Sequence, residues 1–322
     1  MNNLSKESVT RLTVDEAGEG QRIDNFLTRH LKGVPKSHIY RILRSGEVRV
    51  DSKRVDATHR LQIGEVLRIP PIRMRENIDS IPESIPPASR LTPRIIFEDE
   101  ALIALNKPSG MAVHGGSGVS RGVIEQMRQE MPQARFLELV HRLDRETSGV
   151  LLLAKKRSAL TELHRAMRDN DMDKRYLTLV KGIWTNPKQS VKFSLLKYTT
   201  AEGERRVSVN PEGQTAHTVF TLKKSLGDFS LLEAELKTGR THQIRVHLAH
   251  LGFPIAGDDK YGDFPLNKEL QKRGLKRMFL HAYRITIKHP LSGGKLLLEA
   301  PLPSDLESFL KKLEVAGCAE KI

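Results

Sequence analysis

The chain has 322 residues, a length that predicts two domains, and its 38% hydrophobic and 29% charged residues are typical of a soluble protein with a packed core. Its net charge of +14 favours nucleic acid as a partner over an acidic membrane surface, because no helical pattern sets a basic face against a broad aromatic face. The single cysteine, Cys318, excludes an intrachain disulfide and a cysteine-based zinc site.

Residues 1–19 are polar and are predicted to be flexible. They contain no apolar core of a signal peptide, and no run of the sequence reaches transmembrane length. We therefore expect a cytoplasmic protein that does not enter a membrane.

A small basic module is predicted over residues 20–70. Apolar residues recur at helical spacing over residues 23–31 and again after Pro35, and Gly46 can end the second helix. Residues 48–50 and 66–69 predict two strands. This order of elements resembles the small RNA-binding domain of ribosomal protein S-four, which implies an S-four-like α+β RNA-binding domain.

Positive charge is concentrated in this module. Residues 22–73 contain twelve Lys or Arg and five Asp or Glu, so a short stretch carries half of the net charge. Lys36, Arg41 and Arg44 fall around the second helix, off its apolar stripe, and are predicted to contact RNA. The alternative interpretation is an ordinary solvated face.

Residues 71–93 are predicted to form a semi-rigid linker between the two domains. The stretch from residue 70 to residue 93 holds six prolines and no aromatic residue, and such a composition cannot pack a core. The second domain is therefore predicted over residues 94–315.

The second domain mixes strands and helices without strict alternation. Glycine-containing segments at residues 106–110 and 114–118 can cradle a phosphate, but their spacing fits neither a P-loop nor a dinucleotide-binding motif, so we interpret them as loops. Thr241 is predicted to cap a helix that Gly252 ends. Strands are predicted at 95–98, 101–105, 136–140, 150–154, 176–180, 219–222, 230–236, 283–287 and 296–298, and helices at 160–167, 241–251 and 306–313. This order predicts an α+β domain with a mainly antiparallel mixed sheet.

A polar loop between two apolar runs, residues 141–149, carries the first candidate for chemistry. Asp144 stands between Arg142 and Arg145, and a carboxylate near opposite charge stays ionised. Such a carboxylate can act as a nucleophile or as a base when it is well positioned. A surface salt-bridge loop is the alternative interpretation.

Three segments, in this order, resemble the signature of the RluA-type RNA pseudouridine synthases: residues 141–149, residues 174–176 (Lys-Arg-Tyr) and residues 239–247 (Gly-Arg-Thr-His-Gln-Ile-Arg-Val-His). The resemblance implies that Asp144 is the catalytic aspartate and that Tyr176 lies against the target base. It further implies that Arg245 pairs with Asp144, and that Arg142 helps to displace the target base from the RNA.

The implied reaction is the isomerisation of specific uridines of 23S ribosomal RNA to pseudouridine. It breaks the C1′–N1 bond, turns the base and rejoins it through C5, so it needs a carboxylate, an acceptor for the C5 proton and an extruded base. Asp144 supplies the carboxylate, and Tyr176 can stack on the base and accept the proton. The reaction needs no redox step, metal or nucleotide cofactor. We expect 23S ribosomal RNA or a pre-ribosomal large-subunit particle as the partner, no protein partner, and a monomer.

The histidines of these motifs are predicted to hydrogen-bond within the pocket wall. His242 and His247 are five residues apart, so they do not share a helical face as metal ligands at i and i+4 do, and His141 is assigned the same structural role. Arg240 is predicted to contact phosphate. A non-catalytic ribosomal RNA-binding or assembly factor and an RNA N-glycosidase that uses Asp144 are the alternative functions. The sequence leaves open whether Asp144 attacks C6, attacks C1′ or takes the 2′ proton.

Overall fold

The computed structural model describes residues 8–31, 34–72, 85–115 and 121–319, without the side chains of residues 316–319. The chain divides into two compact units, residues 1–89 and 90–322. In the described ranges, no helix is both long enough and apolar enough to cross a membrane. Parts of three predicted segments lie outside the described residues: 1–7 of the flexible N-terminus, 73–84 of the linker and 116–118 of the second glycine-containing loop.

The first unit packs two helices and a three-stranded antiparallel sheet around one core. Its elements are β1 (Thr10–Thr13), α1 (Ile23–His30), α2 (Lys36–Arg44), β2 (Arg49–Val50) and β3 (Val66–Ile69), with the strand order β1-β3-β2. Each helix buries one apolar stripe, and the Tyr40 hydroxyl of α2 donates a hydrogen bond of 2.9 Å to the buried Asp24 carboxylate of α1. The two predicted helices and the strand at residues 66–69 are confirmed.

The N-terminal segment differs from the sequence expectation. Residues 1–19 were all expected to be flexible, but β1 pairs along its whole length with β3, and Leu12 and Val14 are buried in the core of the unit. The physical reason is the alternation of a strand, in which every second side chain faces the core. Only Leu12 and Val14 are buried on this alternation, and two positions are too few to make it visible in the sequence.

The second unit is built on one large sheet that is antiparallel except between two strands. Its elements are β4 (Ile95–Glu98), β5 (Leu102–Lys107), α3 (Val123–Glu130), β6 (Glu138–Leu139), β7 (Ser148–Ala154), α4 (Arg157–Arg168), β8 (Asp173–Lys181), β9 (Lys188–Thr199), β10 (Arg205–Val209), β11 (Gln214–Leu226), β12 (Phe229–Leu236), α5 (Gln243–His250), α6 (Phe264–Lys272), β13 (Leu280–Lys288), β14 (Lys295–Glu299) and α7 (Ser304–Ala319). The strand order is β10-β9-β11-β12-β8-β13-β7-β5-β4, with β14 on β13 and β6 on β7, and only β7 and β13 pair in parallel among the described strands. The predicted α+β class with a mainly antiparallel mixed sheet is confirmed.

The parallel contact between β7 and β13 brings the two strands very close at Gly149. This residue has φ +111°, and a Cβ atom there would lie 2.1 Å from the carbonyl oxygen of Ala282. A side chain at this position is therefore excluded twice, by backbone conformation and by space. Because the loop that carries Asp144 runs directly into β7, this close contact fixes where the loop ends.

Several boundaries differ from the prediction. The end of the predicted linker already belongs to the second unit, because Leu91 is buried in its core and the Leu91 and Thr92 amides donate to the Glu130 carboxylate at 2.8 Å. The final helix α7 extends past the predicted boundary at residue 315. The β9–β10 hairpin, α3 and α6 were not predicted at all.

Candidate active site

Asp144 lies in the loop between β6 and β7 and faces a pocket in the second unit. Its side chain is 18% exposed, and its Oδ2 atom is 3.3 Å from Nη1 of Arg245 and 3.8 Å from Nε2 of His242. The pocket is lined by His141, Arg142, Leu143, Asp144, Thr147, Met167, Lys174, Tyr176, Leu236, Gly239, Arg240, Thr241, His242, Gln243, Ile244, Arg245 and Leu280. All three segments of the sequence signature therefore contribute to one cavity.

Arg245 is held mainly by an aspartate that the sequence analysis missed. The Asp258 carboxylate accepts two hydrogen bonds of 2.7 Å from Nε and Nη2 of Arg245, and Asp258 is completely buried. Burial opposes both charges, but the paired hydrogen bonds outweigh it, so the pKa of Asp258 is lowered and the pKa of Arg245 is raised from their ordinary values. Two guanidinium nitrogens are committed to Asp258, and the third is aimed at Asp144.

Asp258 also fixes the backbone that follows it. The amides of Lys260 and Tyr261 donate to its Oδ1 atom at 2.8 and 3.0 Å, and the Tyr261 ring lies under the Arg245 guanidinium at 5.1 Å. A buried ion pair needs such additional hydrogen bonds to offset its desolvation. The acidic pair at residues 258–259 beside Gly257 was the only sequence signal for this anchor.

Tyr176 lies in the interior of the pocket, on β8 next to Asp144. Its side chain is 7% exposed. Burial, followed by the negative charge of Asp144, raises the pKa of its hydroxyl well above the ordinary value. The free protein therefore holds a neutral phenol at this position.

Lys174 is a second pocket residue of β8 that received no role from the sequence. It lies two residues before Tyr176, hence on the same face of the strand, and it is 8% exposed. Burial lowers the pKa of its ammonium group. No hydrogen bond or ion pair of its side chain is found among the described residues, so it adds positive charge to the pocket wall.

His242 has a strained backbone and is oriented by a tyrosine. It precedes α5 with φ +54°, a left-handed conformation that is uncommon for residues other than glycine. Its Nδ1 atom is 2.8 Å from the Tyr261 hydroxyl, which itself accepts a hydrogen bond of 2.9 Å from the Val207 amide. With the tyrosine hydroxyl donating to Nδ1, the Nε2 atom that faces Asp144 carries the hydrogen.

The turn before α5 is held by the side chain of Gln243. Its Oε1 atom accepts hydrogen bonds from the Thr238 hydroxyl at 2.7 Å and from the Arg240 amide at 3.0 Å, and its Nε2 atom donates to the carbonyl of His217. The predicted cap at Thr241 is therefore wrong. The turn continues through residue 242, and α5 starts at Gln243.

Lys107 anchors the Asp144 loop through hydrogen bonds to backbone carbonyl groups. It is completely buried, and its ammonium donates to the carbonyls of Pro108, Met111 and Arg145 at 2.9, 2.7 and 3.0 Å. Three acceptors match the three hydrogens of a charged ammonium group, although burial lowers the pKa of Lys107 to about 7. The segment at residues 106–110 therefore clamps the loop through Lys107, so this residue is not free to cradle a phosphate.

The other two histidines of the motifs have structural hydrogen bonds, but only His141 lines the pocket, so the predicted place in the pocket wall is wrong for His247. Nε2 of His141 accepts from the Leu152 amide at 3.1 Å, and Nδ1 of His247 lies 3.1 Å from the Thr218 hydroxyl. Burial lowers the pKa of each imidazole to about 4, so both are neutral at pH 7. The described residues contain no cluster of three or more His, Cys, Asp or Glu placed to hold a metal ion.

The predicted RNA-binding residues are divided between the two units. Arg142 and Arg240 are exposed at the pocket of the second unit, where Arg240 also donates to the Thr215 carbonyl at 3.3 Å. Lys36, Arg41 and Arg44 are exposed on α2 of the first unit, away from its buried stripe.

Comparisons with known proteins agree with this architecture. The RNA pseudouridylate synthase family model matches residues 101–250, and the S4 domain model matches residues 21–67. Ribosomal large subunit pseudouridine synthase C of Haemophilus influenzae is 50% identical over 311 residues, which are 96% of this chain and 97% of that protein. The protein of the same name from Escherichia coli strain K12 is 49% identical over 311 residues, again 96% of this chain and 97% of that protein.

A solved structure agrees with these sequence relatives. Human RNA pseudouridylate synthase domain containing 4 superposes with a TM-score of 0.57 at 26% identity, over 69% of this chain and 94% of that chain. The chain belongs to the RNA pseudouridylate synthase family and is an isomerase that acts on uridine in RNA.

Proposed function

We propose that this protein isomerises specific uridines of large-subunit (23S) ribosomal RNA to pseudouridine, with Asp144 as the catalytic carboxylate. The observation that carries the proposal is the Asp144 carboxylate, which faces an open pocket opposite a guanidinium whose other nitrogens are committed to Asp258. The names of the relatives that match almost the whole chain supply the substrate class.

Asp144 begins the reaction in this proposal. The carboxylate adds to the base at C6, adds to C1′ or removes the 2′ proton, and each route ends with the C1′–N1 bond broken and the base free to turn. Arg245 holds the carboxylate in position through its Nη1 atom. Because the reaction only exchanges bonds within one nucleotide, it consumes no oxidant, reductant or water.

Tyr176 accepts the C5 proton after the base has rejoined the ribose through C5. The phenol is neutral in the free protein, because burial and the charge of Asp144 raise its pKa. Accepting the C5 proton therefore requires the phenol to give up its own hydroxyl proton. We propose that this proton passes through the open pocket to solvent, so that Tyr176 relays the C5 proton rather than storing it.

Arg142 acts on the RNA rather than on the bonds that change. Its side chain is exposed at the rim of the pocket, three residues from the end of β6. The uridine must leave the stack before it can enter the pocket, at a cost of about a few kcal/mol. A cation at the rim can hold the displaced strand by its phosphates, and we propose that Arg142 has this role.

The first unit supplies affinity for the RNA through Lys36, Arg41 and Arg44. A chain that starts near residue 90 is expected to bind ribosomal RNA more weakly. The dependence of its affinity on salt is also expected to be shallower, by about 0.7 to 0.9 for each phosphate contact that is lost. An unchanged salt dependence would assign this basic face to another partner.

The proposed function is tested by mapping pseudouridine in the total RNA of cells that lack the protein. We expect one or more pseudouridines of the large-subunit RNA to disappear, to return with the parent protein, and to stay absent with Asp144→Asn. A complete set of pseudouridines in the null cells would overturn the proposal. Return of the missing sites with Asp144→Asn would leave the substrate intact and remove Asp144 from the mechanism.

A further inference from the structure

A second cavity adjoins the active-site pocket, beside the β9–β10 hairpin and the turn before α5. We call it the hairpin groove, and it is lined by Arg142, Lys197, Tyr198, Thr199, Arg205, Arg206, Val207, Thr241, His242 and Lys260. Arg142, Thr241 and His242 also line the active-site pocket. The two cavities are therefore neighbours on the second unit, separated by these three residues.

The hairpin groove is strongly positive. Five of the residues that line it are Lys or Arg, and none is acidic. Glu204 pairs with two of these cations, at 2.6 Å from Nε of Arg206 and 2.8 Å from Nζ of Lys260. Within the described part of the chain, Lys197 and Arg205 make no ion pair, although both are exposed. These two side chains are available for an anionic ligand.

One exposed aromatic ring lies on the same hairpin. Tyr198 is 44% exposed and lies opposite Arg206 in the β9–β10 register, so it shares a face of the hairpin with Arg206, while Lys197 and Arg205 lie on the other face. An exposed aromatic ring among cations is the combination that binds single-stranded nucleic acid, because bases stack on the ring while the cations meet the phosphates.

We propose that the hairpin groove is a binding subsite for the single-stranded RNA that directly adjoins the target uridine. The RNA crosses the hairpin at its edge strand β10, so that Lys197 and Arg205 contact the phosphates on one face while a neighbouring base stacks on Tyr198 on the other. The proposal rests on the proposed function, since a uridine that enters the pocket must bring its neighbours past Arg142. The groove thereby contributes to the choice of substrate, because it requires an unpaired nucleotide beside the target.

The first test is the salt dependence of RNA binding by the full chain. Lys197→Ala/Arg205→Ala is expected to bind a short RNA containing the mapped uridine more weakly. The slope of log affinity against log salt is expected to be shallower by about 1.4, or 0.7 for each of two phosphates. Lys268→Ala/Lys272→Ala is the matched control, because it removes the same charge from the exposed face of α6, outside both cavities. Equal slopes for the two double variants would overturn the proposal.

The second test locates the RNA segment that the groove binds. The RNA is shortened one nucleotide at a time from each side of the uridine. At one length, the parent is expected to lose affinity while Lys197→Ala/Arg205→Ala does not change further, so that the two proteins become equal. A constant ratio of their affinities at all lengths would show that the groove does not contact this RNA. Conversion by the parent is measured on the same RNA, and its absence would instead contradict the proposed function.

The third test concerns stacking. Tyr198→Ala is expected to weaken binding by about 5- to 150-fold, and Tyr198→Phe is expected to bind like the parent, because the ring and not the hydroxyl meets the base. Equal binding by Tyr198→Ala and the parent would remove the stacking contact. When the unshortened RNA carries an abasic site next to the uridine, the affinity of the parent should fall to that of Tyr198→Ala.

Discussion

The buried pair of Arg245 and Asp258 gives the sharpest quantitative prediction for the active site. Asp258→Ala leaves the Arg245 guanidinium buried, and its remaining acidic partners among the described residues are Asp144 at 3.3 Å and the exposed Asp259 at 3.6 Å. Breaking a buried pair in this way is expected to lower the free energy of unfolding of the second unit by about 3–5 kcal/mol. Trp184, the one tryptophan of the chain, is buried in the core of that unit, so its fluorescence during urea titration reports this transition.

The double variant Arg245→Met/Asp258→Leu separates charge from packing. It removes both buried charges, so much of the lost stability should return. The amides of Lys260 and Tyr261 still lose their acceptor, so a deficit of about 1–3 kcal/mol relative to the parent should remain. Activity should not return, because the double variant lacks the Arg245 guanidinium that positions Asp144.

The effect on catalysis is measured as the rate of uridine conversion by Asp258→Ala in a single turnover. Since Asp258 positions the guanidinium that faces Asp144, Asp258→Ala is expected to slow the chemical step by about 10²-fold. A loss of stability below about 1 kcal/mol in Asp258→Ala, or a double variant that is less stable than the single one, would refute the argument that a desolvated pair organises the site.

The remaining predictions concern the base, the rim and the pH. Tyr176→Phe is expected to keep its affinity for RNA and to slow the chemical step by about 10²–10⁴, and a rate within a few-fold of the parent would show that another group removes the C5 proton. Arg142→Ala should slow conversion most when the uridine is stacked and paired, and an equal loss on an RNA with an unpaired uridine would exclude a role in extrusion. Burial lowers the pKa of His141, His247 and His281 to about 4, against about 6.5 in the unfolded chain. Their contribution to stability is complete above pH 6.5 and is lost as the pH falls towards 4, because the unfolded chain binds more protons in this window. Urea titrations at pH 7 and pH 5 with equal midpoints would contradict this assignment.

Much of the fold could be predicted wherever apolar periodicity was strong. The helices of the first unit show it clearly, and the buried strand β7 was predicted instead from its continuous apolar run. The β9–β10 hairpin was missed because few of its side chains face a core, with only Val191, Leu195 and Val207 buried. When most side chains of a strand are exposed, apolar and polar residues alternate too weakly to predict the strand from the sequence.

The candidate site was predictable to the extent that its residues lie in compact motifs. Asp144 and Arg245 are 101 residues apart, and periodicity alone does not show that they meet. The roles of Asp258 and Lys107 could not be predicted, because a buried polar contact between distant segments leaves no pattern in either segment. The left-handed backbone of His242, beside the hydrogen-bonded side chain of Gln243, was equally invisible in the sequence.

The most direct test of the central claim is conversion by purified Asp144→Asn protein. The substitution keeps the size of the side chain and removes its negative charge, so binding of 23S ribosomal RNA should persist while conversion stops. Formation of pseudouridine in protein-free large-subunit RNA is measured under multiple-turnover conditions, with the parent protein in parallel. We predict conversion by the parent at defined uridines and none by Asp144→Asn. Measurable turnover by the sequence-verified variant would contradict the account.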